Sequence, residues 1–374
     1  MSAPARVRFV SLDMFRGATI FLMIVVNTAG PGAAPFAQLS HAPWFGFTLA
    51  DLIFPTFLFA VGNAMSFALR PDMPAAAFLA RVAKRAALIF LLGFLMFWYP
   101  FVAPGPDGGF VAKSLGDARI PGVLQRIALC YLLAAPIARC CSPRAVLVIC
   151  AALLIGYWLI LLGFSPAGQA YAPLGNIGTT IDITLFGRDH LYRKMDGFDP
   201  EGLLGTLPST VNVLAGFLVG RRVQRAGKHA RSVAGIAVAG AGSIALALLW
   251  SPWFPIGKRL WTGPFALLTI GIDMLLLAGF VWAIEMRGVA VGRRFLTILG
   301  RNPLAIYIFS ELLVVTLQLV PVPRYGGLYD WIGIAVFQTI APGPVGSLAC
   351  AICYALVCWA FGWWLDRRGW LLKV

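Results

Sequence analysis

Charged residues are scarce in this sequence, and acidic residues are the scarcest of them. Only 12% of the 374 residues are charged, with 15 Asp and Glu against 30 Lys and Arg, whereas 60% are hydrophobic. A soluble domain has roughly a quarter of its residues charged, so an ordinary water-soluble protein is excluded. Apolar runs repeat from end to end without an intervening polar domain, and we therefore predict a single membrane domain over residues 1–374.

Histidine is also rare, and the spacing of Cys and His residues that builds a metal site is missing. The sequence has three His and seven Cys. Cys350 and Cys353 form a CxxC, but no histidine is near them and they lie in an apolar run, so small buried side chains are the better interpretation. We expect neither a disulfide framework nor a bound metal.

The excess of positive charge does not form a single basic patch. The net charge is +15, which in a soluble protein would suggest nucleic acid as a partner. Here the basic residues lie in short connections between apolar runs, which is their usual place in membrane proteins. We expect the lipid bilayer, and no nucleic acid, as the partner of this charge distribution.

The apolar runs are long enough to cross a bilayer as helices. A crossing needs about 20 apolar residues, and a helix satisfies its own backbone hydrogen bonds in lipid. The first run contains Asp13 and Arg16 and lacks a small-residue cleavage site, so it is interpreted as a helix and not as a signal peptide. We predict an all-α polytopic membrane helix bundle of about ten transmembrane helices, at residues 9–29, 48–69, 86–102, 119–138, 145–163, 203–219, 232–250, 263–284, 297–320 and 345–365.

The basic residues also predict the orientation of the bundle. Both termini and every second connection carry most of the Lys and Arg residues, among them Arg6, Arg8, Arg70, Lys228 and Lys373. Positively charged connections stay in the cytoplasm, which predicts that both termini are cytoplasmic. The opposite connections are longer but hold only Lys113, Arg119, Arg188, Arg193, Lys194, Lys258, Arg259 and Arg324. Among them, residues 164–202 form a long loop rich in Gly, Pro and Asp, which we expect to be an ordered cap.

Several polar residues lie inside the predicted helices, where they are costly. A charge at the bilayer centre costs at least ~2.5–3.5 kcal/mol on insertion scales. Each such residue has two interpretations, an ion pair that holds helices together or a part of a binding site. Asp13 and Arg16 are three residues apart on one helix face, and Arg126 and Arg301 are candidates to bind phosphate groups together. The full set of polar candidates is Asp13, Arg16, Asp51, Gln125, Arg126, Asp273, Arg301, Asn302 and Glu311.

His41 is the most informative single residue. It lies just before the second predicted helix and ten residues before Asp51. Imidazole titrates near neutral pH and can act as a base or a nucleophile. The alternative is an ordinary histidine at the membrane interface. His229, in a basic connection, and His190, in the long loop, carry no comparable signal.

These residues lie in blocks that resemble the heparan-alpha-glucosaminide N-acetyltransferases and their bacterial relatives. The blocks follow one another over nearly the whole chain, which makes the resemblance more specific than any single block. They are SLDMFRGATIFLMIVVN (11–27), HAPWFGFTLADLIFPTFLFAVG (41–62), IPGVLQRIALCYL (120–132), DPEGLLGTLPSTVNVLAGFLVGR (199–221), FPIGKRLWTGPFALLTIGID (254–273) and LGRNPLAIYIFSELL (299–313). The segment TAGPGAAPFAQLS (28–40) looks longer than in the animal enzymes.

The resemblance implies a membrane acetyltransferase that moves an acetyl group from cytoplasmic acetyl-CoA to an amino sugar or glycan on the other side. It implies that His41 is the active histidine, and it aligns Asn27 and Asp51 with the asparagine and the acid of the family motif. A bacterial inner (cytoplasmic) membrane is the expected location. Acyl transfer to an amine also needs a base or nucleophile and donors for the oxyanion. His41 can fill the first role, the Asn27 amide the second, and Asp51 can orient the imidazole.

The remaining site candidates divide between donor and acceptor. Arg126 and Arg301 are candidates for the phosphates of CoA, and Asp13, Arg16, Gln125 and Asn302 are further binding candidates. Lys258 and Arg259 lie on the opposite face, where the acceptor or lipid headgroups would meet them.

Two functions are compatible with the sequence. The first is the N-acetyltransferase, by direct transfer or through acetyl-His41, and the second is a permease for a sugar or a cell-wall fragment. The sequence leaves both a monomer and a homodimer open, since the glycine-rich run VAGIAVAGAG permits close helix packing.

Overall fold

The protein is a bundle of long helices with very little strand. The computed structural model describes residues 9–69, 72–104, 109–226 and 229–372. Arg6, Arg8, Arg70, Lys228 and Lys373, on which the predicted orientation partly depends, lie outside the described residues. The helices are α1 (Val10–Asn27), α2 (Leu49–Ala68), α3 (Ala75–Trp98), α4 (Val123–Cys140), α5 (Pro143–Phe164), α6 (Ile177–Phe186), α7 (Thr206–Ala226), α8 (Ala230–Trp250), α9 (Gly263–Phe280), α10 (Arg293–Arg301), α11 (Pro303–Leu319), α12 (Leu328–Trp331), α13 (Gln338–Ile340) and α14 (Pro344–Arg368).

Short irregular pieces connect the helices. A wider π-helical turn, Val281–Met286, continues α9, and a second one, Ile332–Phe337, joins α12 to α13. Two small antiparallel hairpins pair β1 (Val102–Pro104) with β2 (Phe110–Ala112) and β3 (Pro321–Val322) with β4 (Gly326–Gly327). All-α is therefore the correct class, with strand limited to these hairpins in the described part of the chain.

Each of the ten predicted spans overlaps a helix, but not all of these helices qualify as membrane spans. In the described residues seven helices are long and apolar enough to cross a membrane, or up to eight if α10 and α11 count as one span. The helices α3 and α7 are long enough, but each carries three basic residues, and they do not meet the same criterion. The count of about ten and the cytoplasmic location of both termini stay predictions.

Two predicted boundaries are wrong for identifiable reasons. The span predicted at 86–102 begins at Ala75, because the alanine-rich stretch after Pro74 favours helix although it carries Arg81 and Arg85. The span predicted at 297–320 is broken at Asn302, and its two halves are bent by 83°. Pro303 explains the break, because proline lacks an N–H and disfavours helical geometry in the preceding residue.

The centre of the bundle is the packing of α2 against α7. Gly62 and Gly216 let the two backbones touch, since a Cβ on Gly62 would lie 1.9 Å from the carbonyl oxygen of Val213, and one on Gly216 would lie 2.0 Å from that of Phe59. Small residues at a helix contact permit this close approach. The start of α2 and the loops around it are thereby held in a fixed position.

The long connection before α7 is folded. Asn176 caps α6 by accepting a hydrogen bond from the Thr179 N–H at 3.0 Å, and 3₁₀ turns follow at Arg188–His190 and Arg193–Met195. Leu191 and Phe198 are buried. This segment covers the end of the bundle at which α2, α4 and α7 begin.

Candidate active site

The site begins with a hydrogen bond between His41 and Asp51. His41 Nδ1 lies 2.9 Å from Asp51 Oδ1, and the other carboxylate oxygen accepts hydrogen bonds from the backbone N–H groups of Ala42 and Thr48, each at 3.1 Å. Thr48 and Asp51 form the capping box of α2. The same carboxylate therefore starts the helix, closes the loop behind it and orients the imidazole.

The two partners differ in their access to solvent. The side chain of Asp51 is fully buried, whereas that of His41 is 44% exposed. A carboxylate in the first turn of a helix is stabilised by the helix dipole. Because Nδ1 is engaged with the carboxylate, Nε2 is the nitrogen through which His41 can act on another molecule.

Lys258 is the third member of the site. Its Nζ lies 3.0 Å from Nδ1 and 3.2 Å from Nε2 of His41, and 3.7 Å from Asp51 Oδ1. Burial lowers the pKa of Lys258 to about 8, although Asp51 and Glu201 act in the opposite direction. The loop that carries Lys258 is joined to the His41 loop by a hydrogen bond of 2.8 Å from the Gly46 N–H to the Ile256 carbonyl.

A second cluster of charges continues from Lys258. Arg119 donates two hydrogen bonds to Asp199, at 2.9 and 2.6 Å, and a third to Glu201. Burial raises the pKa of Glu201, but Arg119, Arg126 and Lys258 outweigh burial and hold this pKa below its usual value. Glu201 is thus a carboxylate that links Lys258 electrostatically to the two arginines.

Arg126 and Gln125 lie in the first turn of α4 beside this cluster. Arg126 is 2% exposed, donates one hydrogen bond of 2.8 Å to the Gly202 carbonyl, and lies over the Trp261 ring at 5.3 Å. Within the described residues, its Nε and Nη1 and both polar atoms of the Gln125 side chain have no hydrogen-bond partner. Buried polar atoms normally have one, so both residues are suited to hold a polar ligand.

Asn27 is not hydrogen-bonded to His41 in the described structure. Its amide donates a hydrogen bond of 3.0 Å to Glu311 Oε1, which joins the end of α1 to α11. Asn27 is therefore the partner of Glu311, one of the polar candidates inside the predicted helices. Asp273 likewise has a partner, since Thr56 on α2 donates to its carboxylate.

Asp13 and Arg16 form the ion pair that their spacing predicts. They line a cavity of 170 Å³ together with Asn63 of α2. The Asn63 side chain is 3% exposed, and neither of its amide atoms has a hydrogen-bond partner in the described residues. Gly300 packs on the backbone of Asp13, so this cavity lies at the α10 end of α1, away from Asn27.

The interpretation of Arg126 and Arg301 as one phosphate site is wrong. Arg126 is bound to Gly202 beside the His41 cluster, whereas Arg301 pairs with Asp366 at 2.6 Å at the end of α14. Asn302 binds the segment after α14. Its amide nitrogen donates a hydrogen bond of 2.8 Å to the Trp370 carbonyl, and its amide oxygen accepts one of 3.0 Å from the Leu372 N–H. Arg301 and Asn302 therefore fix the C-terminal segment. Spacing along the chain carried no information on which ends of these helices meet.

Sequence reasoning did not single out Glu201, Arg119 and Asn63. Glu201 and Asp199 occur in the motif DPEG, and the only available signal was two acids beside a predicted span in a chain with few acids. Arg119 was interpreted as a connection residue. Nothing in the sequence distinguishes Asn63 from other polar residues in helices.

The fold and the site define a helical membrane protein with a histidine–carboxylate pair, flanked by a lysine and a second carboxylate, at one end of its bundle. Such a group of side chains is suited to acid–base or nucleophilic chemistry. The family profile described as "Heparan-alpha-glucosaminide N-acetyltransferase, catalytic" matches residues 8–248. The chain belongs to this family. The match includes His41, Asp51, Arg126 and Glu201 and ends before Lys258.

Two mammalian proteins named heparan-alpha-glucosaminide N-acetyltransferase are similar to the chain. The human protein is 27% identical, over 82% of this chain and 53% of its own length. The mouse protein is 26% identical, over 83% of this chain and 54% of its own length. The chain thus spans about half the length of these relatives.

Proposed function

We propose that this protein is a transmembrane N-acetyltransferase, which moves an acetyl group from acetyl-CoA on the cytoplasmic side to the amine of an amino sugar or related glycan on the opposite side. The observation that carries the proposal is the His41–Asp51 pair, in which a buried carboxylate orients an exposed imidazole 2.9 Å away. Membership of the acetyltransferase family supports the choice of reaction.

The geometry supports a defined division of roles. In direct transfer, the His41 Nε2 takes the proton of the acceptor amine as the amine attacks the thioester carbonyl, the C–S bond breaks and CoA leaves as its thiolate. In the two-step route, Nε2 attacks the thioester carbonyl and expels the CoA thiolate, and the amine then attacks acetyl-His41 and releases the imidazole. The Asp51 carboxylate holds the ring and stabilises the imidazolium that either route forms. The Lys258 ammonium, 3.2 Å from Nε2, is the first candidate to stabilise the oxyanion. Asn27 becomes a second donor only by exchanging its hydrogen bond to Glu311.

The polar surfaces around His41 suit a sugar. Arg126 and Gln125 offer buried hydrogen-bonding atoms, and Glu201 is a carboxylate next to Lys258. A carboxylate attracts the protonated amine of an amino sugar, and neutral hydroxyls can use the amide of Gln125. We assign the acceptor to this end of the bundle.

The donor is assigned to the end that holds Asp13, Arg16 and Asn63. Their cavity lies at the start of α1, which the positive-inside rule places in the cytoplasm together with both chain termini. The unpaired amide of Asn63 suits the amide groups of a pantetheine arm, and Arg16 suits a phosphate. Acetyl-CoA supplies an activated acetyl group as its thioester.

Proteoliposomes with radiolabelled acetyl-CoA outside and glucosamine inside test the proposal. We expect label to appear as N-acetylglucosamine in the lumen, with one CoA released for each acetyl group transferred. A panel that replaces the amine by a hydroxyl separates N-acetylation from O-acetylation. In a separate set of empty proteoliposomes with glucosamine outside, uptake of the unmodified sugar without CoA release would instead identify a permease.

Labelling without an acceptor distinguishes the two routes of transfer. Acetyl bound to His41 under these conditions supports a two-step route, and its absence alongside normal turnover supports direct transfer. A His229→Ala variant serves as the control, because His229 is exposed and far in sequence from the site.

A further inference from the structure

A large apolar groove lies between α5, α7, α8 and α9, outside the site described above. Its volume is 980 Å³, at the upper end of the roughly 300–1,000 Å³ typical of ligand pockets. On α7, Ala215 and Leu218 line the groove, whereas Gly216 and Gly220 pack against α2. The groove therefore lies on the face of α7 that α2 leaves uncovered.

The lining of the groove suits a hydrocarbon chain and not a polar ligand. It consists mostly of aliphatic side chains, and Ser243 carries the one hydroxyl among its described residues. That hydroxyl already donates a hydrogen bond of 2.7 Å to the Leu267 carbonyl. Pantetheine amides or sugar hydroxyls would be left without partners here, which costs free energy.

One end of the groove carries three arginines from the last turns of α7. Arg221, Arg222 and Arg225 all line it, and no ion pair is recorded for any of them within the described residues. Arg222 reaches across to α8, since a Cβ on Gly235 would lie 2.1 Å from its Nη2. Arg222 and Arg225 are three residues apart and so share a helix face.

The other end of the groove is closed by Trp158 and Trp250. Their ring centroids are 5.4 Å apart in an edge-to-face contact. From Gly235 to Trp250 the groove follows about 22 Å of α8 at ~1.5 Å per residue. This is shorter than the ~30 Å hydrocarbon core of a bilayer, so the groove matches a lipid from one leaflet.

We propose that this groove binds an anionic phospholipid. Its acyl chain lies along α7 and α8 toward the tryptophans, and its phosphate is bound by Arg222 and Arg225. Guanidinium groups bind phosphate bidentately, and a headgroup that carries no positive charge beside its phosphate avoids repulsion by the three arginines. The lipid fills the side of α7 that α2 does not cover and so stabilises the bundle. This proposal does not depend on acetyl transfer.

Native mass spectrometry of the purified full-length chain tests the proposal with defined lipids. We expect phosphatidylglycerol to remain bound in preference to phosphatidylcholine and to raise the unfolding temperature. The preference should fall about fivefold for each arginine removed in Arg222→Gln and Arg225→Gln. The matched control is Arg293→Gln with Arg294→Gln, two exposed arginines of α10 outside the groove, which should leave the preference unchanged.

A second pair of variants tests the acyl-chain part of the site. Ala239→Trp places an indole ring in the path of the acyl chain and should weaken lipid retention, whereas Val238→Trp, at a neighbouring position outside the lining that is 72% exposed, should not. Equal retention of both lipids by the native chain and by the double arginine variant would overturn the proposal. A dimer that Ala239→Trp disrupts and that carries no lipid would overturn it in favour of a second copy of the chain.

Discussion

The two ends of the helical bundle both hold charged residues, but they hold them in different ways. At the His41 end, side chains from four separate connections meet: His41 and Lys258 come from two of them, and Arg119 and Glu201 from two others. At the Asp13 end, Asp13 pairs with Arg16 one turn along the same helix, and Arg301 pairs with Asp366. Only the first arrangement requires the whole fold to be in place.

This difference has energetic consequences. Groups in one network couple, whereas separate pairs contribute nearly additively. At the His41 end, Glu201 interacts electrostatically with three cations, Arg119, Arg126 and Lys258. Removing one member therefore changes the environment of the others. The Arg301–Asp366 pair shares no ion pair with another group in the described part of the chain, so its loss should be felt only locally.

The largest expected effect is the loss of His41. His41→Ala removes the imidazole that takes the amine proton or carries the acetyl group, and we expect turnover of acetyl-CoA to fall by about 10²–10⁴-fold. The fold should persist, because the ring is 44% exposed. CoA release measured beside the His229→Ala control checks this. Unchanged turnover in His41→Ala would rule out the His41 end of the bundle as the catalytic end.

Asp51→Asn is expected to have the next largest effect. The amide can replace the carboxylate in size, but it cannot stabilise an imidazolium and it favours the wrong tautomer, so we expect a loss of about 10²-fold or more in kcat. The matched control is Thr48→Ala, which weakens the same helix cap at a stability cost of about 1 kcal/mol. Comparable kcat values for the two variants would show that Asp51 acts only as a cap.

The sequence predicted much of the fold because apolar runs determine membrane helices locally. The ten predicted spans all overlap helices, and the one sharp break follows from Pro303. What the sequence did not predict depends on tertiary contacts. A helix can begin before its apolar run where the residues favour helix, as at Ala75–Arg85. The helices α3 and α7 each carry three basic residues, so composition alone does not identify them as membrane spans.

Contacts between the candidate residues were predicted where they are local in the chain and missed where they are not. His41 and Asp51 are ten residues apart, and the helix cap that joins them can be inferred from one motif. Glu201 reaches the site from a loop that is 160 residues further along, and Arg126 and Arg301 were placed together although their ends of the bundle differ. When loops that are far apart in the chain meet in the fold, no repeating pattern in the sequence indicates the contact.

Lys258→Met tests how the network controls pH dependence. The pKa of Lys258 is about 8 against 10.5 for a free lysine, so the ammonium form dominates below pH 8. If this charge stabilises the oxyanion, wild-type kcat should decline above about pH 8. The kcat of the variant should be roughly tenfold lower at pH 7, which corresponds to ~1.4 kcal/mol in activation free energy. The variant should also lack the decline of kcat above pH 8. Arg259→Met should retain it.

The same pKa predicts a trend in stability. The folded state holds the Lys258 proton less tightly than the unfolded state, so the unfolded state binds more protons between about pH 8 and 10.5. Where this is so, stability rises with pH. Lys258→Met should remove this contribution to the pH dependence of the unfolding temperature. A slope identical to that of the wild type would contradict the lowered pKa.

Glu201→Gln should act on stability more than on chemistry. It removes the negative charge but leaves an amide oxygen that can still accept from Arg119, whose bidentate contact with Asp199 remains. We expect a loss of about 1 kcal/mol, the difference between a hydrogen bond to a charged group and one to a neutral group. The Glu201 carboxylate raises the pKa of Lys258. Its loss should lower this pKa further, and the alkaline decline of kcat should therefore move to lower pH. Thermal unfolding measures the effect on stability, and pH–rate profiles measure the effect on kcat. An alkaline decline at the wild-type pH would show that Glu201 does not influence Lys258.

Arg301→Gln should have the smallest effect, and it sharpens the contrast between the two ends. Its pair with Asp366 is partly exposed, at 41% for the arginine side chain and 25% for the aspartate, and exposed pairs contribute about 0–1 kcal/mol. Asn302 continues to hold the C-terminal segment through Trp370 and Leu372. We expect kcat within about twofold of the wild type and a double-mutant cycle with Asp366→Asn that shows coupling below ~1 kcal/mol. The same cycle on Glu201 and Lys258 should give a larger coupling, since these groups share a buried network. Equal coupling at both ends would mean that the His41 cluster is only a set of independent ion pairs, and that its convergence has no energetic significance.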